Sequence, residues 1–419
     1  MSKFTYHTTM SYLINLSLLR KNRSFRWLYA GQFVSMLGTA ITNVALPYQI
    51  YTLTHSTAMV GILSLLQLLP LLFTALLGGV FADRYSRRAL LLKAEFSLSI
   101  GSLLLMLNAF QTAPSIWLIF LVAPLMSGLN GLHRPALESS VQQLVEAKDL
   151  AQVSVLSSFK YNVCVIGGSS FGGLILAFFG LTFTFLVDVC SFMFSVLCLL
   201  RIDIPLLQHN EEIKSVWKSL KEGCQYALSR QELMGSYWVD FIAMIFGMPT
   251  ALIPAIVTNA HDSSMLGFFY SAPAVGALIM SCFSQWTMKI KRHGAGIAIA
   301  ATIWGISILL FGIFYHLLWV GLFFFALAGA ADEVSAIFRG TLWNETIPKS
   351  YRGRLAGIEM ISYLSGPKLG DTEAGFVASL FGVGFSIISG GALCIGGVAL
   401  CCLLMPKFWH YRSQTAVKE

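Results

Sequence analysis

Charge is what this chain has least of. Of its 419 residues only 11% are Asp, Glu, Lys or Arg, while 56% are hydrophobic and the mean hydropathy is +0.70. A soluble protein carries about 25% charged residues, so a globule in water is excluded. The apolar runs show no period-two alternation, which excludes a β-barrel and leaves helices as the way to cross lipid. No GxxxxGK[ST] stretch occurs, so nothing in the chain argues for ATP hydrolysis. None of the eight cysteines falls in a predicted outward loop where a disulfide could persist, and the adjacent Cys401-Cys402 is not a CxxC site. All eight read as small core residues. No nucleophile–base or metal-ligand spacing stands out, so the chain reads as no enzyme, with no cofactor and no metal. The lead, residues 1–24, has no small-residue cleavage site and is not read as a signal peptide.

What is present is a succession of long apolar runs. About 20 residues cross a ~30 Å hydrocarbon layer, and twelve runs reach that order: 26–50, 59–82, 89–110, 115–137, 153–178, 182–200, 232–258, 264–286, 295–314, 318–342, 355–377 and 385–405. They are spans one to twelve below. Lys and Arg crowd the lead (Arg20, Lys21, Arg23, Arg26), the loop 83–93, the middle segment and the loops 289–292 and 349–354, and are missing from the alternate loops. That asymmetry predicts both termini in the cytoplasm. The net charge of +8 is then a matter of topology, and no nucleic-acid partner is read from it.

An internal repeat runs at an offset of 205. "RPALE" from Arg134 matches "RGTLW" from Arg339, Leu150-Ala151 falls on Leu355-Ala356, and Ser157 on Ser362. The predicted architecture is an all-α polytopic protein of two six-helix halves. The divisions are a lead 1–24, a half 25–202, a central loop 203–230, a half 231–406 and a tail 407–419. Parallel repeats of this kind suggest a rocking transporter with its binding site at the midplane between the halves.

Between spans two and three lies "GGVFADRYSRRALLL". It resembles the signature loop of the major facilitator superfamily, G-x-(L/F)-A-D-R-x-G-R-(K/R), through Gly79, Phe81, Ala82, Asp83, Arg84, Arg87 and Arg88, with Ser86 in place of the usual glycine. "INLSLLRKNRSFRWLYAGQFVSMLG", "ALPYQIYTLTHSTAMVG" and "YRGRLAGI" are similar to stretches of its siderophore-exporter branch, whose relatives include macrolide efflux proteins. The resemblance implies the major facilitator fold. It also implies that Asp83 pairs with an arginine low in span four, here Arg134, and approaches the start of span eleven, a latch closed only when the cytoplasmic side is shut. Arg84, Arg87 and Arg88 equally serve topology. The span-five motif G-P-x-x-G-G is matched with Ser169 where proline would stand, at Gly168–Gly173. The small residues still permit close helix approach.

Charges inside a membrane call for partners or roles, at roughly 2.5–3.5 kcal/mol each near a helix centre. Lys368 and Asp371, at i and i+3 in span eleven, are expected to form an ion pair, from which Glu373 points away. Asp332 and Glu333 in span ten and Asp240 in span seven read as proton or substrate acids, or as lone protonated structural acids; Asp188 in span six reads as structural. Gln32 and Asn43 of span one share a helical face by count, Gln49 is displaced from it, and Asn130 and His133 add polar groups from span four. His133 and Arg134 are the candidate cations for an anionic cargo. The predicted function is proton-coupled export of a siderophore or similar amphipathic small molecule across a bacterial cytoplasmic membrane, by a chain acting as a monomer. The alternatives are a multidrug or macrolide exporter, and a membrane sensor or assembly partner that does not transport.

Overall fold

The computed structural model describes residues 17–84, 86–202, 222, 225–260, 264–348 and 351–413, with side chains described for all of these but 76–84, 147, 151, 352–354 and 356–361. Among the described residues the regular structure is helical. Nine helices there are long and apolar enough to cross a membrane. Two more, Arg23–Thr54 with 32 residues and Arg352–Phe381 with 30, have the length but carry more polar residues. The helix Leu150–Leu200 is interrupted at Gly180, whose φ of 75° and ψ of 177° no helix accommodates. The expected number of twelve would follow from dividing that helix and counting the two polar ones as crossings.

Gly180 is a reversal of the chain. Span one, Arg23–Thr54, shows why. Along it Phe33, Leu37 and Ile41 meet Cys164, Gly168 and Gly172 in rising order, while Gly31, Gly38 and Thr42 meet Cys198, Ser191 and Asp188 in falling order. One arm is parallel to span one and the other antiparallel, so the arms fold back on each other. Only a residue without Cβ takes a positive φ there at no steric cost.

Asn22 caps span one: its Oδ1 accepts from Phe25 N at 2.9 Å, while its Nδ2 donates to Leu144 O at 2.6 Å and ties span one to the end of span four. Arg88 donates to the carbonyls of Leu199 and Leu200 at 3.2 and 2.7 Å, placing a cation on the exposed C-terminal end of span six. Arg87 donates to Ser139 O at 3.3 Å. Two of the arginines of the signature loop thus fasten the start of span three to spans four and six.

Span seven departs from expectation. The run 232–258 predicts one helix, but Gln231–Phe246 ends at Gly247 and the chain continues through a 3-10 turn, Thr250–Leu252, to a short helix, Ile253–Asn259. Pro249 supplies no N–H for a continuing ladder. Trp304 of span nine donates its indole N–H to the freed carbonyl of Gly247 at 3.1 Å. The break leaves the hydroxyl and backbone N–H groups of 250 and 251 available to another helix.

The repeat is visible in the packing. In the first half span two packs on four and span three on six; in the second, span eight packs on ten and span nine on twelve. The two most extensive contacts between the halves are span two on eleven and span five on eight, and these pairs exchange under the same offset.

Candidate functional site

The polar side chains inside the bundle fall into three groups. The first is centred on Arg339 of span ten, helix Leu318–Thr346. Its Nη1 lies 2.5 Å from Asp240 Oδ1 and 3.1 Å from Ser335 Oγ; its Nη2 lies 3.4 Å from Asp332 Oδ1. The two acids read as proton or substrate acids, or as lone protonated structural ones, are both held by one guanidinium, which sequence reading had noted only as a landmark of the repeat. Asp240 and Arg339 are 99 positions apart, and no local spacing could pair them. Two carboxylates against one arginine leave an excess of one negative charge, and Asp332 is its more exposed bearer, 37% against 15% for Asp240. Glu333, next along the helix, is turned to Ser281 of span eight.

The second group faces the space between the halves. Arg134 of span four stands at the position matching Arg339, yet its surroundings differ. Its side chain is 50% exposed, with Glu138 at 3.5 Å and the Tyr363 ring of span eleven 5.8 Å away. The hydroxyls of Tyr363 and of Tyr161, from span five, are 2.9 Å apart. Spans four and five belong to one half and span eleven to the other, so this exposed trio opens to the interior seam rather than only to lipid. Asp83, Arg84 and Gly79 have side chains or positions outside those described, so the structure neither makes nor breaks the predicted latch to Arg134.

The third group seals the seam toward the end where span two begins. Span eleven carries Lys368, Asp371, Thr372 and Gly375 on one face. Lys368 Nζ donates to Gln67 Oε1 at 2.6 Å. Asp371 accepts from Ser64 Oγ at 3.3 Å, from the backbone N–H of Ala251 at 3.0 Å and from the Thr250 hydroxyl. Lys368 and Asp371 stand close enough to attract each other, while their direct hydrogen bonds go elsewhere: the break in span seven offers Asp371 a backbone donor and span two offers Lys368 an amide oxygen. Thr372 donates to Gly61 O at 3.1 Å and Thr57 to Gly375 O at 2.9 Å. On the other seam Gly173 of span five lies against the backbone of Gly267 in span eight, and a Cβ on Gly267 would come within 2.8 Å of Ser169 O. The serine that stands for proline is thus part of a backbone-to-backbone approach. Glu373 is half-buried near this end and has no hydrogen-bond or ion-pair partner among the described residues.

The remaining predicted residues are dispersed. Asn43 is exposed, and Asn130 donates to Met126 O at 3.1 Å on its own helix. Gln32 and Asn43 share a face by count but not surroundings: Gln32 is buried among spans three, four and six, where it meets His133 and a residue that sequence reading did not single out, Glu95. Asp188 is enclosed by Thr42, Ser102 and Ser191, with Oδ2 accepting from the first two at 2.7 Å. Gln49 is buried, and neither of its amide atoms has a hydrogen-bond partner among the described residues.

A bundle of this kind, with a charged seam between two related halves, can now be set beside known proteins. Residues 15–417 match the transmembrane secretion effector family. The chain belongs to that family. The enterobactin exporter EntS of Shigella dysenteriae serotype 1 is 28% identical over 413 residues, 96% of this chain and 97% of that one. The same exporter of Citrobacter koseri is 27% identical over 412 residues, 98% of each. Among solved structures, a bacterial homologue of the human lysosomal transporter Spinster, in an inward-facing and unoccupied conformation, superposes with a TM-score of 0.73 at 15% identity, covering 94% of this chain and 98% of its own. A bacterial homologue of the iron transporter ferroportin, in an inward-facing state, gives 0.68 at 14% identity, covering 92% and 98%. A POT family transporter in complex with 5-aminolevulinic acid gives 0.71 at 13%, covering 92% and 97%. This secretion effector is an all-α, multi-pass membrane protein with the major facilitator fold.

Proposed function

We propose that the chain is a secondary active exporter of the bacterial cytoplasmic membrane that moves a siderophore, or a similar amphipathic and oxygen-rich small molecule, outward while protons move inward. The full-length likeness to enterobactin exporters supports the cargo class. The observation that carries the reading is the asymmetry between matching arginines. Arg339 is neutralised by Asp240 and Asp332, whereas Arg134 is half exposed in the seam beside the rings of Tyr161 and Tyr363. A guanidinium backed by aromatic faces binds an anionic, aromatic cargo through charge-assisted hydrogen bonds and stacking. On the other wall, one proton on Asp332 removes the excess charge of the Arg339 group, so loading and release there would couple a proton to the cycle. Both termini lie in the cytoplasm in this reading, and the latch of Asp83 with Arg134 is kept as part of the inner closure.

The test is deletion of the gene in its host under iron limitation, with assay of the medium for iron-chelating activity. Loss of secreted chelator with accumulation in the cell, restored by wild type but not by Arg134→Gln, is the expected result. Unchanged secretion with new sensitivity to macrolides or dyes would replace the siderophore by a drug-like cargo.

A further inference from the structure

Glu95 lies within the first half, on span three, with no exposed surface. Its Oε1 accepts from Gln32 Nε2 at 2.7 Å and stands 3.0 Å from His133 Nε2; its Oε2 accepts from Ser35 Oγ at 3.1 Å. Gln32 Nε2 also lies 3.5 Å from His133 Nε2 and 3.4 Å from Ser195 Oγ. Spans one and four meet this carboxylate of span three, and span six closes on Gln32.

The charge balance sets this site apart. No lysine or arginine contacts Glu95 among the described residues. An ionised carboxylate enclosed without a cation costs several kcal/mol, which neutral amide and hydroxyl donors offset only in part. Asp188 and Cys198 of span six are close enough to sense it. Neither is basic, and Asp188 is already held by three hydroxyl side chains. Span one contributes the neutral Gln32 and Ser35, and span four contributes His133. What can neutralise Glu95 is therefore a proton, held on the carboxyl group or on the imidazole beside it, and histidine is the side chain whose unperturbed titration falls near neutrality. The contrast with Arg339 is sharp, since a guanidinium supplies a permanent charge and needs no proton.

The site also has a way in. The His133 side chain is 11% exposed and that of Glu95 1%, so the ring stands between the carboxylate and the outside of the cluster. The next residue is Arg134, in the seam. We propose that Glu95 and His133 together bind one transported proton, as a second proton site in the half opposite Asp332. Binding takes the pair from one net negative charge to none, as Glu95 carboxylate with His133 imidazolium or as carboxylic acid with neutral imidazole. The word transported rests on the export reading above; the binding does not.

The experiment uses the full chain in lipid. Infrared difference spectra between acidic and alkaline buffer are recorded for wild type, Glu95→Gln and Asp332→Asn. Expected is a carboxyl band that disappears in Glu95→Gln and persists in Asp332→Asn. Should Glu95→Gln fail to fold, nitrogen resonances of labelled histidine in the wild type, assigned with His133→Asn, give a second readout. His133 then shifts with pH as a ring that gains and loses a proton. A carboxyl spectrum unchanged by Glu95→Gln together with a His133 resonance fixed across the range overturns the site. In proteoliposomes loaded with enterobactin, folded Glu95→Gln is expected to lose uphill export driven by a pH gradient and to keep downhill exchange. Full uphill export by that variant overturns the transport role. If wild type moves no enterobactin, the cargo reading fails while the spectra still decide the proton site.

Discussion

At the scale of the residue, neighbours decide what identical side chains do. Arg134 and Arg339 are matched by the repeat, but removing them has different consequences. Arg339→Gln strands the little-exposed Asp240, and we expect a loss of about 3 kcal/mol of stability together with loss of export, read as a large drop in melting temperature in detergent. Arg134→Gln gives up only a half-exposed pair with Glu138, within about 1 kcal/mol, so the fold survives while binding of an anionic cargo is lost. A wild-type export rate in Arg134→Gln would remove Arg134 from the cargo site. Asp332→Asn is expected to abolish uphill export and to spare exchange of cargo down its gradient, because Asp240 still holds Arg339. Sequence reading found the acids of spans seven and ten from their depth alone. It missed the arginine between them, and it gave Glu95 no role. Residues 32, 95 and 133 have no shared spacing; only the packing of three helices brings them together.

At the scale of the element, two closures come into view. One is described in full: span eleven against span two, and span five against span eight, joined by Lys368 with Gln67, by Asp371 with Ser64, Thr250 and Ala251, and by glycines in backbone contact. A side chain cannot be added at Gly173 without displacing Gly267, so Gly173→Val is expected to hold this end open. A cysteine placed at Ser64 should then react several-fold faster with an impermeant maleimide added outside; equal rates in the two backgrounds would show that the glycine contact does not gate. The other closure, at the signature loop, remains a proposal. Asp83→Asn should cripple transport while insertion and expression stay near normal, and Asp83→Arg combined with Arg134→Asp should recover part of the loss. Spans were legible because apolar length is a local property of the chain. The interruption of span seven was less so: Gly247 and Pro249 are punctuation that an apolar run conceals, and its use, a free N–H for Asp371, depends on a helix some 120 residues away.

At the scale of the whole molecule, the repeat, the alternation of basic loops and the length of the apolar runs carried the fold, since each is written along the chain at long period. The same alternation predicts the orientation. A fluorescent protein fused at the C-terminus should fluoresce and a phosphatase fused there should stay inactive in cells; the reverse would invert the topology. The make-up of the described closure has a thermal consequence. Its contacts are of two kinds. Amide, hydroxyl, carboxylate and glycine backbone meet across it, and Val44 and Leu176 of the first half share an apolar cluster with Val257 and Leu266 of the second, as Val60 and Leu63 do with Ala251 and Ala255. Wetting apolar surface raises heat capacity, whereas wetting polar surface lowers it. Parting the two halves at this end therefore sets two terms of opposite sign against each other. The van 't Hoff line for shut against open should curve less than that of an all-apolar seam of equal area, so a cell that cools or warms would shift the poise of this gate the less.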